Sequence, residues 1–232
     1  MKKTIGIIGG MGPMATVDLY AKIIANTKAA CDSDQLHILI DNNTAIPDRS
    51  AAILSGGESP LPWMQKSARL LEQMGAELLM VACNTAHYYH KEISEAVSVP
   101  VLDMIAITLE ECTTRGYTCV GLLSTTGTAQ AGVYSRVFAK SSCRCIIPCE
   151  EGQDSVMKSI YKYKADLKDR EPEVIAAVAE QLQKRGAQAV ILGCTELPLI
   201  ALAGSELPLP LIDPTLLLAQ KAIKMAGSET IC

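Results

Sequence analysis

The chain twice places a cysteine at the end of an apolar run, each time as the eighth residue after a glycine. The first copy reads Gly75-Ala76-Glu77-Leu78-Leu79-Met80-Val81-Ala82-Cys83-Asn84-Thr85, the second Gly186-Ala187-Gln188-Ala189-Val190-Ile191-Leu192-Gly193-Cys194-Thr195-Glu196. Two matched thiols suit chemistry on two sides of one carbon. A thiolate that removes a proton from one face and a thiol that returns one to the other invert the centre, and a single base rarely reaches both faces. Near-attack distances of roughly 3–3.5 Å on each side put the sulfurs about 7 Å apart. Cysteine is a base when ionised and an acid when protonated, as such a step requires.

A free thiol with a pKa near ~8.5 is only ~3% ionised at neutral pH. Bringing it to ~7 takes roughly 2 kcal/mol. A helix amino terminus just after each cysteine is expected to supply much of this, at ~0.3–1 and at most ~2 kcal/mol. Asn84, Thr85 and Thr195 follow the thiols as candidate ligands for a substrate carboxylate, beside N–H groups of the same helix ends. A strand-end cysteine is ordinarily a small buried apolar residue; the duplicated setting with polar successors argues for chemistry at Cys83 and Cys194. Cys31, Cys112, Cys119 and Cys232 lack that setting and read as inert. Cys143, Cys145 and Cys149 are closer together but have no second ligand pair at zinc-site spacing, so no metal is expected.

The repetition extends beyond the thiols. Gly6-Ile7-Ile8-Gly9-Gly10-Met11-Gly12 is matched by Gly121-Leu122-Leu123-Ser124-Thr125-Thr126-Gly127, and Pro100-Val101-Leu102-Asp103 by Pro210-Leu211-Ile212-Asp213. Three pairs in the same order indicate two related halves. Short apolar runs alternate with amphipathic stretches, which predicts an α/β protein of two pseudo-symmetric, doubly wound domains with mostly parallel sheets and an active site in the cleft between them. The domains are expected at residues 1–102 plus 213–232, on the Cys83 side, and at 103–212, on the Cys194 side.

Strands are predicted at 4–8, 37–41, 78–82, 101–102, 119–123, 145–147, 189–192 and 211–212. Helices are predicted at 15–29, 63–74, 85–96, 106–114, 132–138, 155–163, 172–184 and 214–225. Gly75, Gly116 and Gly186 stand where helices should stop. Asp103 and Asp213 read as helix caps, Asp213 with Pro214 at the first helical position. Residues 42–62, rich in Pro and Gly, read as a long functional loop.

A net charge of −4 without a basic run argues against a nucleic-acid partner. Gly9, Gly10, Gly12 and Pro13 interrupt the opening apolar run too early for a signal peptide, and no stretch reaches the roughly 18 apolar residues of a membrane span. Nine cysteines, an odd number without small-domain spacing, fit reduced thiols and a cytoplasmic location.

Several stretches, spread over nearly the whole chain and in family order, resemble the aspartate/glutamate racemase family, whose members use no pyridoxal phosphate. They are Ile7-Ile8-Gly9-Gly10-Met11-Gly12-Pro13, Ile46-Pro47-Asp48-Arg49, Ala82-Cys83-Asn84-Thr85-Ala86-His87, Ser124-Thr125-Thr126-Gly127-Thr128 and Gly193-Cys194-Thr195-Glu196. The resemblance implies no cofactor, a catalytic pair of Cys83 and Cys194, and a homodimer acting on a small acidic amino acid. It implies that Arg49 and Lys164 hold the side-chain carboxylate and that Asn84, Thr85, Thr126 and Thr195 position the α-carboxylate and amine. Met11, Thr128 and Glu196 complete the implied substrate-binding set. A guanidinium grips a carboxylate in bidentate fashion, which suits Arg49. Lys162 is the alternative to Lys164, and His87 is either a tuner of the first thiol or a core histidine. The Asp-Ser-Gly opening and the histidine after the second Cys-Thr that mark glutamate racemases are missing, with Glu196 in the histidine's place. That points to the aspartate branch or its broader relatives acting on both aspartate and glutamate.

A rival reading is a dinucleotide-dependent oxidoreductase, since Gly10-x-Gly12-x-x-Ala15 follows a strand and Asp41 ends the next. Pro13 removes an N–H where pyrophosphate would sit, and paired thiols have no task there. Hydantoin racemisation or maleate isomerisation would also use two thiols, but an Arg–Lys pair favours an acidic amino acid.

Overall fold

A computed structural model describes residues 2–201 and 207–231; Cys232, read above as inert, lies outside them. In chain order the first elements are β1 (Ile5–Gly9), α1 (Pro13–Asn26), β2 (Ile38–Asn42), α2 (Arg49–Ser55), α3 (Leu61–Gln73), β3 (Leu78–Val81), a 3-10 turn (Thr85–Tyr89) and α4 (His90–Ser94). Then come α5 (Met104–Thr114), β4 (Cys119–Ser124), α6 (Thr126–Gln130), α7 (Ser135–Phe138), β5 (Arg144–Ile146) and α8 (Glu150–Ala165). The last are α9 (Pro172–Lys184), β6 (Val190–Gly193), α10 (Leu197–Ala201), β7 (Leu211–Ile212) and α11 (Pro214–Met225). The chain divides into two compact units. One holds the residues up to Ala52, Gly56–Met104 and those from Thr215 on; the other holds Ile105–Pro214 with Ile53–Ser55.

Each unit has its own parallel sheet. The first runs β2-β1-β3, extended by a single parallel bridge from Leu79 to Val101; the second runs β5-β4-β6-β7. The strand order is the same in both, and so is the register: Ile8 faces Val81 in one sheet and Leu123 faces Leu192 in the other. Strands β1, β3, β4 and β6 are buried along their whole length, as strands of a sheet covered on both faces must be, which explains their unbroken apolar runs.

The helix before each cysteine strand buries the same positions in both units. Helix α3 buries Met64, Ser67, Ala68 and Leu71, and α9 buries Ile175, Val178, Ala179 and Leu182, both at the i, i+3, i+4, i+7 spacing of one helical face. Each ends on a glycine at positive φ, Gly75 at +99° and Gly186 at +93°. The following amide reaches back to the last apolar turn, Ala76 N–H to Leu71 O and Ala187 N–H to Leu182 O, both at 3.0 Å. Next, Glu77 Oε2 accepts from Thr4 N–H at 3.0 Å and Gln188 Oε1 from Thr118 N–H at 2.7 Å, clasping the start of the neighbouring strand. Gly6 and Gly121 let the strand lie close under this helix: a Cβ would stand 3.2 Å from Leu71 Cβ and 3.1 Å from Leu182 Cβ.

Three expectations need correction. Residues 42–62 are not one loop, because Asp48 accepts from Ala51 N–H at 2.7 Å and starts α2, which Gly56 ends at φ +67°. The helix expected over 85–96 is a 3-10 turn followed by the short α4. Helix α10, after Cys194, has five residues. Neither cysteine is therefore followed directly by a long helix. No helix among the described residues is long and apolar enough to cross a membrane.

Candidate functional site

In the first unit the candidate residues gather at the carboxyl ends of β1 and β3. Ala82 N–H donates to Ile8 O at 3.0 Å, so Cys83 begins where the ladder stops. Cys83, Asn84, Thr85 and Met11 are all buried. Arg49, at the first turn of α2, is 8% exposed. Its guanidinium donates to Ile46 O at 3.2 Å, Pro47 O at 2.9 Å and Met11 O at 3.1 Å. Its Nε is buried without a partner, and no carboxylate among the described residues pairs with it, because neighbouring Asp48 is spent on the helix cap.

The glycine-rich turn after β1 is filled by its own chain. Gly10 N–H donates to Thr16 Oγ1 at 2.9 Å, and a Cβ on Gly10 (φ +88°) would lie 2.3 Å from the Asn43 backbone. Pro13 starts α1. These glycines serve close packing; of the donors a pyrophosphate would use, the Gly10 N–H is taken by Thr16 and Pro13 has none.

In the second unit the residues gather at the ends of β4 and β6, where Ser124 pairs with Gly193. Cys194, Thr195 and Glu196 are buried together. The Cys194 thiol donates to Glu196 Oε2 at 2.9 Å, the Thr195 hydroxyl to the same oxygen at 3.2 Å, and Lys164 Nζ lies 3.5 Å from Glu196 Oε1. Burial first, then the Glu196 charge, push the Cys194 thiol well above the ordinary range, with Lys164 opposing them. The expectation of a helix-lowered thiol is thus reversed at Cys194. Burial also raises Cys112 and Cys145, each to about 12, which suits inert thiols. Cys194 differs from them in having a carboxylate to take its proton and a lysine beside that carboxylate.

Lys162 is committed elsewhere, to Glu171, which leaves Lys164 as the lysine beside the second thiol. Thr126 starts α6 and is half-buried; Thr128 is fully buried, its hydroxyl accepting from Thr125 Oγ1 at 3.1 Å and its N–H donating to the same oxygen at 3.2 Å. Thr128 thus helps shape the turn. The sequence reading missed Gln153 of α8, whose Nε2 donates to Ser124 O at 2.9 Å and whose Oε1 is buried without a partner. No local pattern marks it, since only the fold brings α8 to the end of β4. His87 is buried and bound to backbone rather than to a thiol, with Nδ1 2.8 Å from Cys83 O.

Residues 8–222 match the Asp/Glu/hydantoin racemase family. Among solved structures, the aspartate racemase of Picrophilus torridus is 34% identical, with a TM-score of 0.89 over 99% of this chain and 96% of that one. An aspartate racemase homologue from Pyrococcus horikoshii OT3 is 28% identical, with a TM-score of 0.78 over 98% of this chain and 100% of the other. The broad specificity amino-acid racemase RacX of Bacillus subtilis (strain 168) is 27% identical over 94% of this chain and 96% of its own.

Proposed function

The chain belongs to the Asp/Glu/hydantoin racemase family, and from that premise we propose that it interconverts L- and D-aspartate without pyridoxal phosphate, using Cys83 and Cys194 as acid and base. The observation that carries this reading is the twinned strand end: the same strand of the same sheet order delivers a buried thiol in each unit. In one direction Cys194, whose thiol donates to Glu196, is the proton donor and Cys83 is the acceptor. Cys83 takes the α-proton as the C–H bond breaks, and the carbanion takes the Cys194 proton on its other face. The reverse reaction swaps the roles. A Cys194 thiolate beside the Glu196 carboxylate would be two like charges, and Lys164 offsets one of them.

Arg49 supports an acidic substrate over a hydantoin, because its buried charge calls for a carboxylate and a neutral ring supplies none. Glutamate, one methylene longer, is the nearest alternative substrate. Chiral chromatography of aspartate, glutamate and alanine incubated without cofactor tests the assignment. In deuterated solvent, early product should carry deuterium while remaining substrate stays protiated. Cys83→Ser and Cys194→Ser should each abolish racemisation, and substantial activity in either would remove the two-thiol scheme.

A further inference from the structure

We propose that His87 is a positioning residue that fixes the backbone of Cys83 by donating to its carbonyl, the N–H of Met104 at the start of α5 setting the ring tautomer that donates. The inference rests on the reading of Cys83 as the acid–base thiol of this site. His87 lies in the 3-10 turn that follows Cys83. Its Nδ1 is 2.8 Å from Cys83 O, and Met104 N–H donates to its Nε2 at 3.2 Å. A backbone N–H can only donate, so Nε2 is the bare nitrogen, and the ring proton sits on Nδ1 and is given to Cys83 O. The ring is neutral and both nitrogens are used.

The other half of the repeat shows what this does. There the carbonyl of Cys194 accepts from Leu197 N–H at 3.0 Å, an ordinary turn bond. The position corresponding to His87 is Pro198, which has no donor to offer. In the first half an imidazole donates to that carbonyl, its tautomer set by Met104, the last residue of its unit before the chain passes into the next. The ring is further fixed by parallel stacking on His90 at 5.8 Å between centroids, and His90 Nε2 lies 3.1 Å from Val101 O. The backbone angles that aim the Cys83 thiol are therefore set by a side chain, whereas those of Cys194 are set by the turn itself. An error of about 1 Å in a reacting group costs on the order of 10²-fold in rate.

Two conservative variants separate the two bonds. His87→Asn places an amide N–H where Nδ1 was and keeps the bond to Cys83 O; His87→Gln places an amide oxygen where Nε2 was and keeps the bond from Met104. In the full-length protein, kcat for aspartate should fall by roughly 10- to 100-fold in His87→Gln with KM little changed, and His87→Asn should recover most of it. Mass spectrometry of iodoacetamide labelling gives a readout independent of turnover: the Cys83 rate should change in His87→Gln and return in His87→Asn, with the Cys194 rate constant. Wild-type kcat and labelling in His87→Gln, or equal losses in both variants, would overturn the inference and leave His87 a packing residue. An active Cys83→Ser protein would instead overturn the underlying reading of Cys83.

Discussion

The thiol of Cys194 donates to the carboxylate of Glu196 across 2.9 Å, inside a unit where both are buried. The carboxylate stabilises the thiol over the thiolate by its charge, and burial acts in the same direction. Glu196→Gln keeps an oxygen for the thiol but removes the charge. The Cys194 pKa should therefore fall, and labelling by iodoacetamide at a given pH should quicken. Racemisation should drop by roughly 10²-fold, because the charge that favours the proton-donating form of Cys194 is gone. A labelling profile unchanged from wild type would show that the charge of Glu196 does not reach the sulfur.

Lys164 supplies a test of opposite sign. Its charge lowers the Cys194 pKa, against burial and Glu196. Lys164→Met should raise the pH at which Cys194 labels, while Lys162→Met should leave it in place, since Lys162 pairs with Glu171. Equal shifts in the two variants would mean that Lys164 has no privileged relation to the thiol.

Much of this was readable before any fold was known. Helices α3 and α9 announce themselves by apolar residues on one face, and β1, β3, β4 and β6 by runs buried on both sides and bounded by glycine. Cys83 and Cys194 stood out because their neighbours in sequence are their neighbours in space. Helix α2 was hidden by the Pro and Gly residues around it, although Asp48 and Gly56 were a legible cap pair. What sequence could not carry were bonds made by tertiary folding: Arg49 to Met11, Lys164 to Glu196, His87 to Met104. The protonation of Cys194 depends on such a contact and on burial, so an argument from helix ends alone gave the wrong direction.

Gly6, within β1, and Gly10, just after it, give a stability prediction. A methyl on Gly6 would meet Leu79 Cδ2 at 2.5 Å, the far end of a side chain that can turn, so Gly6→Ala should cost about 1–3 kcal/mol. A methyl on Gly10 would meet the Asn43 backbone at 2.3 Å, and the +88° φ adds about 1–2 kcal/mol for any L residue. Gly10→Ala should be the more destabilising of the two in urea unfolding. Equal midpoints for the two variants would contradict the packing described.

Burial holds the pKa of His87 below its ordinary 6.5, with Asp103 opposing and the Cys83 carbonyl also favouring the charged ring. In the unfolded chain the ring titrates near ~6.5. Below that pH the unfolded state takes up a proton that the folded state resists, so folding loses stability as pH falls from ~6.5 toward the folded pKa. Above ~6.5 both states are neutral and the contribution is complete. His87→Asn has no such group. The stability difference between wild type and His87→Asn should shrink from pH 7.5 to 5, measured by urea unfolding at each pH. A constant difference would mean that the ring titrates alike in both states.

Arg49 offers the most direct link between fold and substrate. Its guanidinium is buried, donates to three carbonyls and keeps Nε without a partner. An incoming carboxylate would satisfy that nitrogen and neutralise the charge, each charge-assisted bond contributing about 1.5–3 kcal/mol. Arg49→Lys keeps the charge but not the planar fork, and it cannot serve three carbonyls and a carboxylate with the same geometry. For aspartate, kcat/KM should fall by roughly 10- to 100-fold in Arg49→Lys, with a far smaller loss for alanine, which has no side-chain carboxylate. Ligand-induced stabilisation reports the same contact without turnover. Succinate, a dicarboxylate without an α-proton to exchange at a stereocentre, should raise the melting temperature of the wild type and do so much less in Arg49→Lys. Equal losses for aspartate and alanine, together with an unchanged response to succinate, would place Arg49 in the architecture of the loop rather than in contact with substrate.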